Sequence, residues 1–105
     1  MRILPRAERD LELIFEYIRE RSASGAEHWW EAFCDAAESA DRNPHQYPRA
    51  PESNSAKLPL RQFLFRTRRG RTYRAIYTIV DEEVYILRVR GPGQPPLAED
   101  EIGGT

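Results

Sequence analysis

Apolar residues recur at helical spacing through the first part of the chain and gather into short β-branched runs through the last part. Between Pro5 and Arg21, the residues Ala7, Leu11, Ile14, Phe15 and Ile18 fall on one stripe, the pattern of a helix with one buried face. Pro5 suits the first helical position, where a missing N–H costs nothing. Glu8, Asp10 and Glu12 near the start and Arg19 and Arg21 near the end complement the helix dipole. After a break at Ser22–Gly25, Ala26, Trp29, Trp30, Phe33, Ala37 and Ala40 predict a second helix that stops at Asn43, ahead of Pro44. Ser24 and Glu27 match the S-x-x-E capping pattern for its start. The neighbouring Trp29 and Trp30 cannot both face the same way, so one belongs to the core and the other to a rim or a partner surface.

Pro44, Pro48, Pro51 and Pro59, with Ser53-Asn54-Ser55 between them, predict a loop of about fifteen residues, long enough to be mobile or held by a partner. Arg61–Arg66 then reads as a strand, and Thr67–Arg71, with Gly70, as a turn. Thr72–Arg90 is the clearest β signal: Tyr73, Ile76, Tyr77, Ile79 and Val80, then Val84, Tyr85, Ile86, Leu87 and Val89. Such residues suit a pleated, half-buried surface, and Asp81-Glu82-Glu83 supplies the polar turn. Ile3 and Leu4 form a short first strand. Gly91–Pro96 ends regular structure.

The fold class is therefore α+β: a short N-terminal strand, an antiparallel two-helix hairpin, then a three-stranded antiparallel meander. The hairpin covers one sheet face, and the other is expected to be more open and polar. One domain spans 1–97, and 98–105 is expected to be a short, acidic, flexible tail.

Charge sharpens this picture. Residues 1–41 hold ten acids and five bases (5 − 10 = −5), whereas 61–90 hold eight arginines and three acids (8 − 3 = +5). An acidic helical half and a basic sheet half imply an anionic partner for the sheet, or mutual neutralisation of the two halves. Cys34 is the only cysteine, which leaves no disulfide framework and no zinc motif. No apolar run approaches the ~20 residues of a membrane span, and the charged start of the chain is unlike a signal peptide. A cytoplasmic protein without cofactor or metal is the expectation.

Candidate chemistry concentrates on arginine. Arg74, Arg88 and Arg90 sit inside otherwise apolar strands, and a guanidinium there must reach water, a carboxylate or a phosphate. Arg74 either meets a target or bridges to an acid such as Glu83. A one-residue change of hairpin register reverses which β4 side chains share its face, so the facing of Arg88 and Arg90 stays open. Arg61 precedes its strand and holds the long loop or joins the target surface. Arg66, Arg68, Arg69 and Arg71 cluster at a hairpin tip, where they contact phosphates or are simply solvated.

Several short stretches, in order, resemble the RelE/ParE superfamily of bacterial toxins. They are Leu4-Pro5-Arg6-Ala7-Glu8-Arg9-Asp10-Leu11, Tyr17-Ile18 with Arg21-Ser22, Asn43-Pro44, Arg61 before an apolar strand, Tyr73-Arg74-Ala75-Ile76-Tyr77, and Val84-Tyr85-Ile86-Leu87-Arg88-Val89. The resemblance implies the toxin of a type II toxin–antitoxin module, which inhibits growth and is neutralised by a cognate antitoxin. ParE-like members poison DNA gyrase; RelE-like members cleave mRNA on the ribosome with lysines or a glutamate, arginines, and a Tyr or His after the last strand. Arg74 matches the family's phosphate-binding arginine. After Val89, however, the chain reads Arg90-Gly91-Pro92-Gly93-Gln94-Pro95-Pro96, without Tyr, His or Lys. His28 and His45 lie elsewhere, and Lys57 lies upstream. Arginine is a poor proton donor or acceptor at neutral pH, so the resemblance favours gyrase binding over catalysis. Target-contact candidates are Arg61, Arg74, Arg88 and Arg90. An antitoxin adding a helix to the hairpin or a strand to the sheet makes Trp29, Trp30, Arg66 and Arg68 its candidates. The alternatives are a ribosome-dependent ribonuclease using Arg74, or a relic that only binds antitoxin.

Overall fold

Helical stripes and strand alternation fold as their periods dictate. The computed structural model describes residues 1–54, 56 and 58–102. In order these form strand β1 (Arg2–Ile3), helices α1 (Pro5–Arg19) and α2 (Ala23–Arg42), 3₁₀ turns at Pro44–Gln46 and Pro51–Asn54, strands β2 (Arg61–Phe65), β3 (Tyr73–Val80) and β4 (Glu83–Arg90), and a helical turn α3 (Glu99–Ile102). The start of α2 differs from the capping pattern: Ser22, not Ser24, is the cap, and its hydroxyl accepts the Gly25 N–H at 2.9 Å. Ser24 lies inside the first helical turn.

The strand order is β1-β4-β3-β2. The meander pairs antiparallel, as expected, while β1 joins β4 in parallel through Arg2↔Tyr85 and Ile3↔Ile86. Sequential strands β3 and β4 are linked by a two-residue turn with Asp81 at φ 51° and Glu82 at φ 66°. Two left-handed residues give the primed turn whose twist matches the flanking strands. The register then slips between Ile76 and Tyr77, which pair with Arg88 and Ile86. Leu87 is the extra residue of a β-bulge.

That bulge sets which side chains share a face. Helices α1 and α2 cover the side carrying Phe63, Phe65, Ala75, Tyr77, Val84, Ile86 and Val89, which packs against Ala7, Leu11, Trp29, Phe33, Ala37 and Ala40. Burying each large apolar side chain there contributes about 1.5–3 kcal/mol. Tyr77 is fully buried, and its hydroxyl donates to the Pro44 carbonyl at 2.6 Å. Burial pushes its phenol up to about 12.

The opposite face was expected to be open, and much of it is not. Ile76 and Leu87 there are buried with Ala50, Leu60, Leu97 and Ile102 in a second, smaller core. The proline-rich segment and the C-terminal segment both fold onto the sheet. Glu52 and Ser53 are buried, with the Ser53 hydroxyl accepting the Leu60 N–H at 3.0 Å. Likewise the segment expected to be a flexible tail is fixed through Ile102, because Leu97 and Ile102 have apolar surface to bury. Residues 103–105 of that tail, and Ser55 and Lys57 of the loop, lie outside the described residues.

Candidate functional site

Antiparallel partners share a face, so the pairs Leu64↔Arg74, Arg74↔Arg90 and Ile76↔Arg88 place the three strand arginines together on the side away from the helices. Were Leu87 paired with Ile76 in regular alternation, Arg88 would fall opposite Ala75 and turn to the helical side. The alignment follows from the bulge.

Once aligned, each guanidinium is bound within the chain. Arg74 donates from Nη1 to Glu52 Oε1 at 2.9 Å and from Nη2 to Glu52 Oε2 at 2.6 Å, and Nη1 also reaches Gln62 Oε1 at 3.1 Å. Oε2 accepts the Leu97 N–H at 2.8 Å as well. The acid that meets Arg74 is therefore Glu52, from the proline-rich segment; Glu83 pairs instead with Arg2 at 2.8 Å. Burial alone would raise the Glu52 carboxyl, but hydrogen bonds from Arg74 and Leu97, with the guanidinium charge, hold it below its ordinary value.

Arg88 makes a second two-pronged pair, to Asp10 of α1, at 2.7 Å from Nε and 3.1 Å from Nη2. The same carboxylate accepts the Val89 N–H at 2.9 Å. β1 pairs only with Tyr85 and Ile86, so Asp10 caps the edge of β4 where β1 has ended. The hydrogen bonds to Asp10 raise the Arg88 pKa further and keep it cationic. Arg88 Nη1 donates to the Glu101 carbonyl at 2.9 Å, and Arg90 Nη2 to the Pro95 carbonyl at 3.0 Å. Arg61 donates to the Tyr47 carbonyl. All four target-contact candidates thus tie loop or tail to sheet. Two residues central to this arrangement, Glu52 and Asp10, were not singled out as site residues. A lone acid between prolines and serines, or in the first turns of a helix, carries no periodic signal.

The antitoxin candidates divide. Trp29 is core, 2% exposed and in contact with Phe65 and Tyr73; its indole offers no surface to a partner. Trp30 is 41% exposed, stacks on Phe33, and with Leu11 and Phe15 lines an apolar hollow of about 300 Å³ rimmed by Glu12 and Glu16. At the far edge of the sheet, Gln62 N–H bonds to the Pro48 carbonyl at 3.0 Å. Strand alternation turns the Leu64 backbone groups to that same edge, and the Leu64 side chain is exposed. Arg66 follows. It borders an open groove of about 610 Å³ between β2 and the α2 residues Ala32, Asp35, Ala36 and Ser39. Arg68 and Arg69 line the continuation of that groove toward His28 and Glu31.

Both imidazoles lie on elements other than the strand of Arg74. His45 meets Glu82 of the β3–β4 turn at 3.3 Å, and His28 lines the α2 groove. Cys34 has its thiol pushed up by burial and by Asp35 and Glu31, the opposite of an activated nucleophile. Among the described residues no cluster of His, Cys, Asp and Glu is arranged to hold a metal ion, and no helix is long and apolar enough to cross a membrane.

No curated protein matches the chain. The family model described as ParE toxin of type II toxin-antitoxin system, parDE, matches residues 1–94, which takes in both helices and all four strands. With a strand, a helical hairpin and a meander in the order its stretches of resemblance imply, this chain belongs to the ParE family of type II toxins.

Proposed function

We propose that this toxin arrests growth by binding a macromolecular target, DNA gyrase, without catalysing a reaction, and that a cognate antitoxin neutralises it by covering its surface. The observation that carries the reading is the commitment of Arg74 and Arg88 to the carboxylates of Glu52 and Asp10. Cleaving RNA through its 2′-hydroxyl needs free positive charge at the scissile phosphate and groups that move protons beside it. Here the guanidiniums are neutralised by internal acids, and the imidazoles lie on other elements. Arg61, Arg74, Arg88 and Arg90 then act as positioning residues, fixing the proline-rich and C-terminal segments on the sheet.

Antitoxin capture fits two places. The Trp30 hollow suits an apolar anchor on a helix, and the free edge at Leu64 suits an added strand, with Arg66 and Arg68 at its end for acidic side chains. The test is direct. Purified toxin is added to gyrase supercoiling reactions and, separately, to translating ribosomes followed by mapping of mRNA ends. Loss of supercoiling with intact mRNA is the expected result; cuts in mRNA with unaffected gyrase overturn the proposal in favour of a ribonuclease. If neither occurs and expression without antitoxin is harmless, the chain is an inactive binder of antitoxin.

A further inference from the structure

Of the fifteen arginines in the chain, only four make no side-chain hydrogen bond or ion pair among the described residues, and they cluster within six residues: Arg66, Arg68, Arg69 and Arg71. Every other arginine is engaged by a carboxylate, a carbonyl or a hydroxyl. The four are exposed and are presented on a defined turn. The Thr67 carbonyl accepts the Gly70 N–H at 3.1 Å, which places Arg68 and Arg69 at the two central positions with Arg66 and Arg71 on the flanks. The turn is tight: a Cβ on Gly70 would come within 2.2 Å of Thr67 Oγ1. Among the described residues, then, every arginine outside this tip has an internal partner, and these four do not.

We propose that the β2–β3 tip is a binding site for the phosphodiester backbone of a nucleic-acid duplex. Guanidiniums recognise phosphate oxygens by two-pronged hydrogen bonds, and such contacts need only cations, hydroxyls and backbone N–H groups. The tip offers that set, with Thr67 and Thr72 among the arginines. A protein interface centred on the tip would be expected to bury an apolar or aromatic anchor; 66–71 contains none, and an antitoxin strand at Leu64 would touch only Arg66 and Arg68 at its end. Absence of aromatics also argues against stacking on unpaired bases, which points to a duplex. Glu31 and Asp35 line the α2 side of the groove beside Arg68 and Arg69, so a polyanion meets the tip from its solvent side. This site is separate from Arg74 and does not depend on the identity of the toxin's target.

The full chain is titrated into short fluorescent DNA and RNA duplexes, with polyglutamate as an anionic peptide control, at increasing salt. Four phosphate contacts predict a log–log salt slope of about −3.6 on DNA, so affinity falls roughly 100-fold between 50 and 200 mM salt. The variant Arg66→Gln/Arg68→Gln/Arg69→Gln/Arg71→Gln should lose that slope and the binding while keeping its melting temperature. The corresponding all-Lys variant should retain most of both. Binding to either duplex with this dependence supports the site, and preference between DNA and RNA identifies the source of the phosphates. A wild-type slope near zero, equal binding by the Gln variant, or tighter binding to polyglutamate than to either duplex overturns it.

Discussion

Removing both partners of the Glu52–Arg74 pair should destabilise the toxin hardly more than removing one. The side chain of Glu52 is 0% exposed and that of Arg74 is 16% exposed, so the two are not equivalent. Arg74→Met strands a fully buried carboxylate, for which the cost of breaking a buried pair, about 3–5 kcal/mol, applies. The Leu97 N–H still bonds to Glu52, so the lower end, about 3 kcal/mol, is expected. Glu52→Gln keeps an acceptor for Arg74, and the stranded cation retains Gln62 and some water; about 2 kcal/mol is expected. The double variant carries no buried charge and should cost about 3 kcal/mol, leaving a coupling of about 2 kcal/mol. Urea unfolding of the four proteins at pH 7 measures this cycle. Repeating it at lower pH gives a second signature. The folded-state pKa of wild-type Glu52 is depressed, so its contribution is present above the unfolded value of about 4.3 and is lost as pH falls through the folded value. In Arg74→Met the uncompensated carboxyl takes up a proton instead, so that variant's penalty should shrink as pH is lowered from 7 toward 5. Single variants costing under about 0.5 kcal/mol, or costs that simply add, would refute the view that this pair clamps loop, sheet and tail together.

Asp10→Asn should cost about 2–3 kcal/mol in the same denaturation assay, because it weakens both the Arg88 pair and the acceptor for the Val89 edge N–H. Trp29→Ala should cost about 3–5 kcal/mol. Trp30→Ala should cost about 1 kcal/mol or less, since much of its indole is already in water, yet it should weaken capture by the antitoxin in a pull-down. Tyr77→Phe leaves the buried Pro44 carbonyl without its donor and should cost about 1–2 kcal/mol; its melting curve should also lose any dependence on pH that stems from a phenol pushed up to about 12.

Elements built on repetition were legible from residues alone. The stripe Ala7–Leu11–Ile18 and the run Trp29–Phe33–Ala37 define helices because burial of one face imposes a period. Thr72–Arg90 reads as a hairpin for the same reason. What stayed hidden depends on single contacts. Val84–Leu87 is a continuous apolar run, and nothing in it says which residue will be doubled against Ile76; that one choice decides whether Arg88 and Arg90 share the face of Arg74. Glu52 sits between Pro51 and Ser53, where a solvated carboxylate and a buried one look alike. Leu97 and Ile102 are separated by acids and show no stripe, so their docking becomes apparent only once the sheet offers them Ile76 and Leu87. The choice between Trp29 and Trp30 likewise rests on how α2 rotates over the sheet. At the site, the arginines themselves were found, but their internal partners were not.

Strand β1 has a consequence for how the toxin is made. Arg2 and Ile3 pair with Tyr85 and Ile86, and Asp10 waits for Arg88, so the beginning of the polypeptide finds its neighbours only after most of the remainder has left the ribosome. Helices α1 and α2 emerge first, with Leu11, Phe33 and Trp29 uncovered, as chains synthesised from the N-terminus do when their contacts are distant in sequence. During translation the nascent toxin is thus an unfinished sheet beside an exposed helical pair, and a partner already present in the cell has that interval in which to meet it.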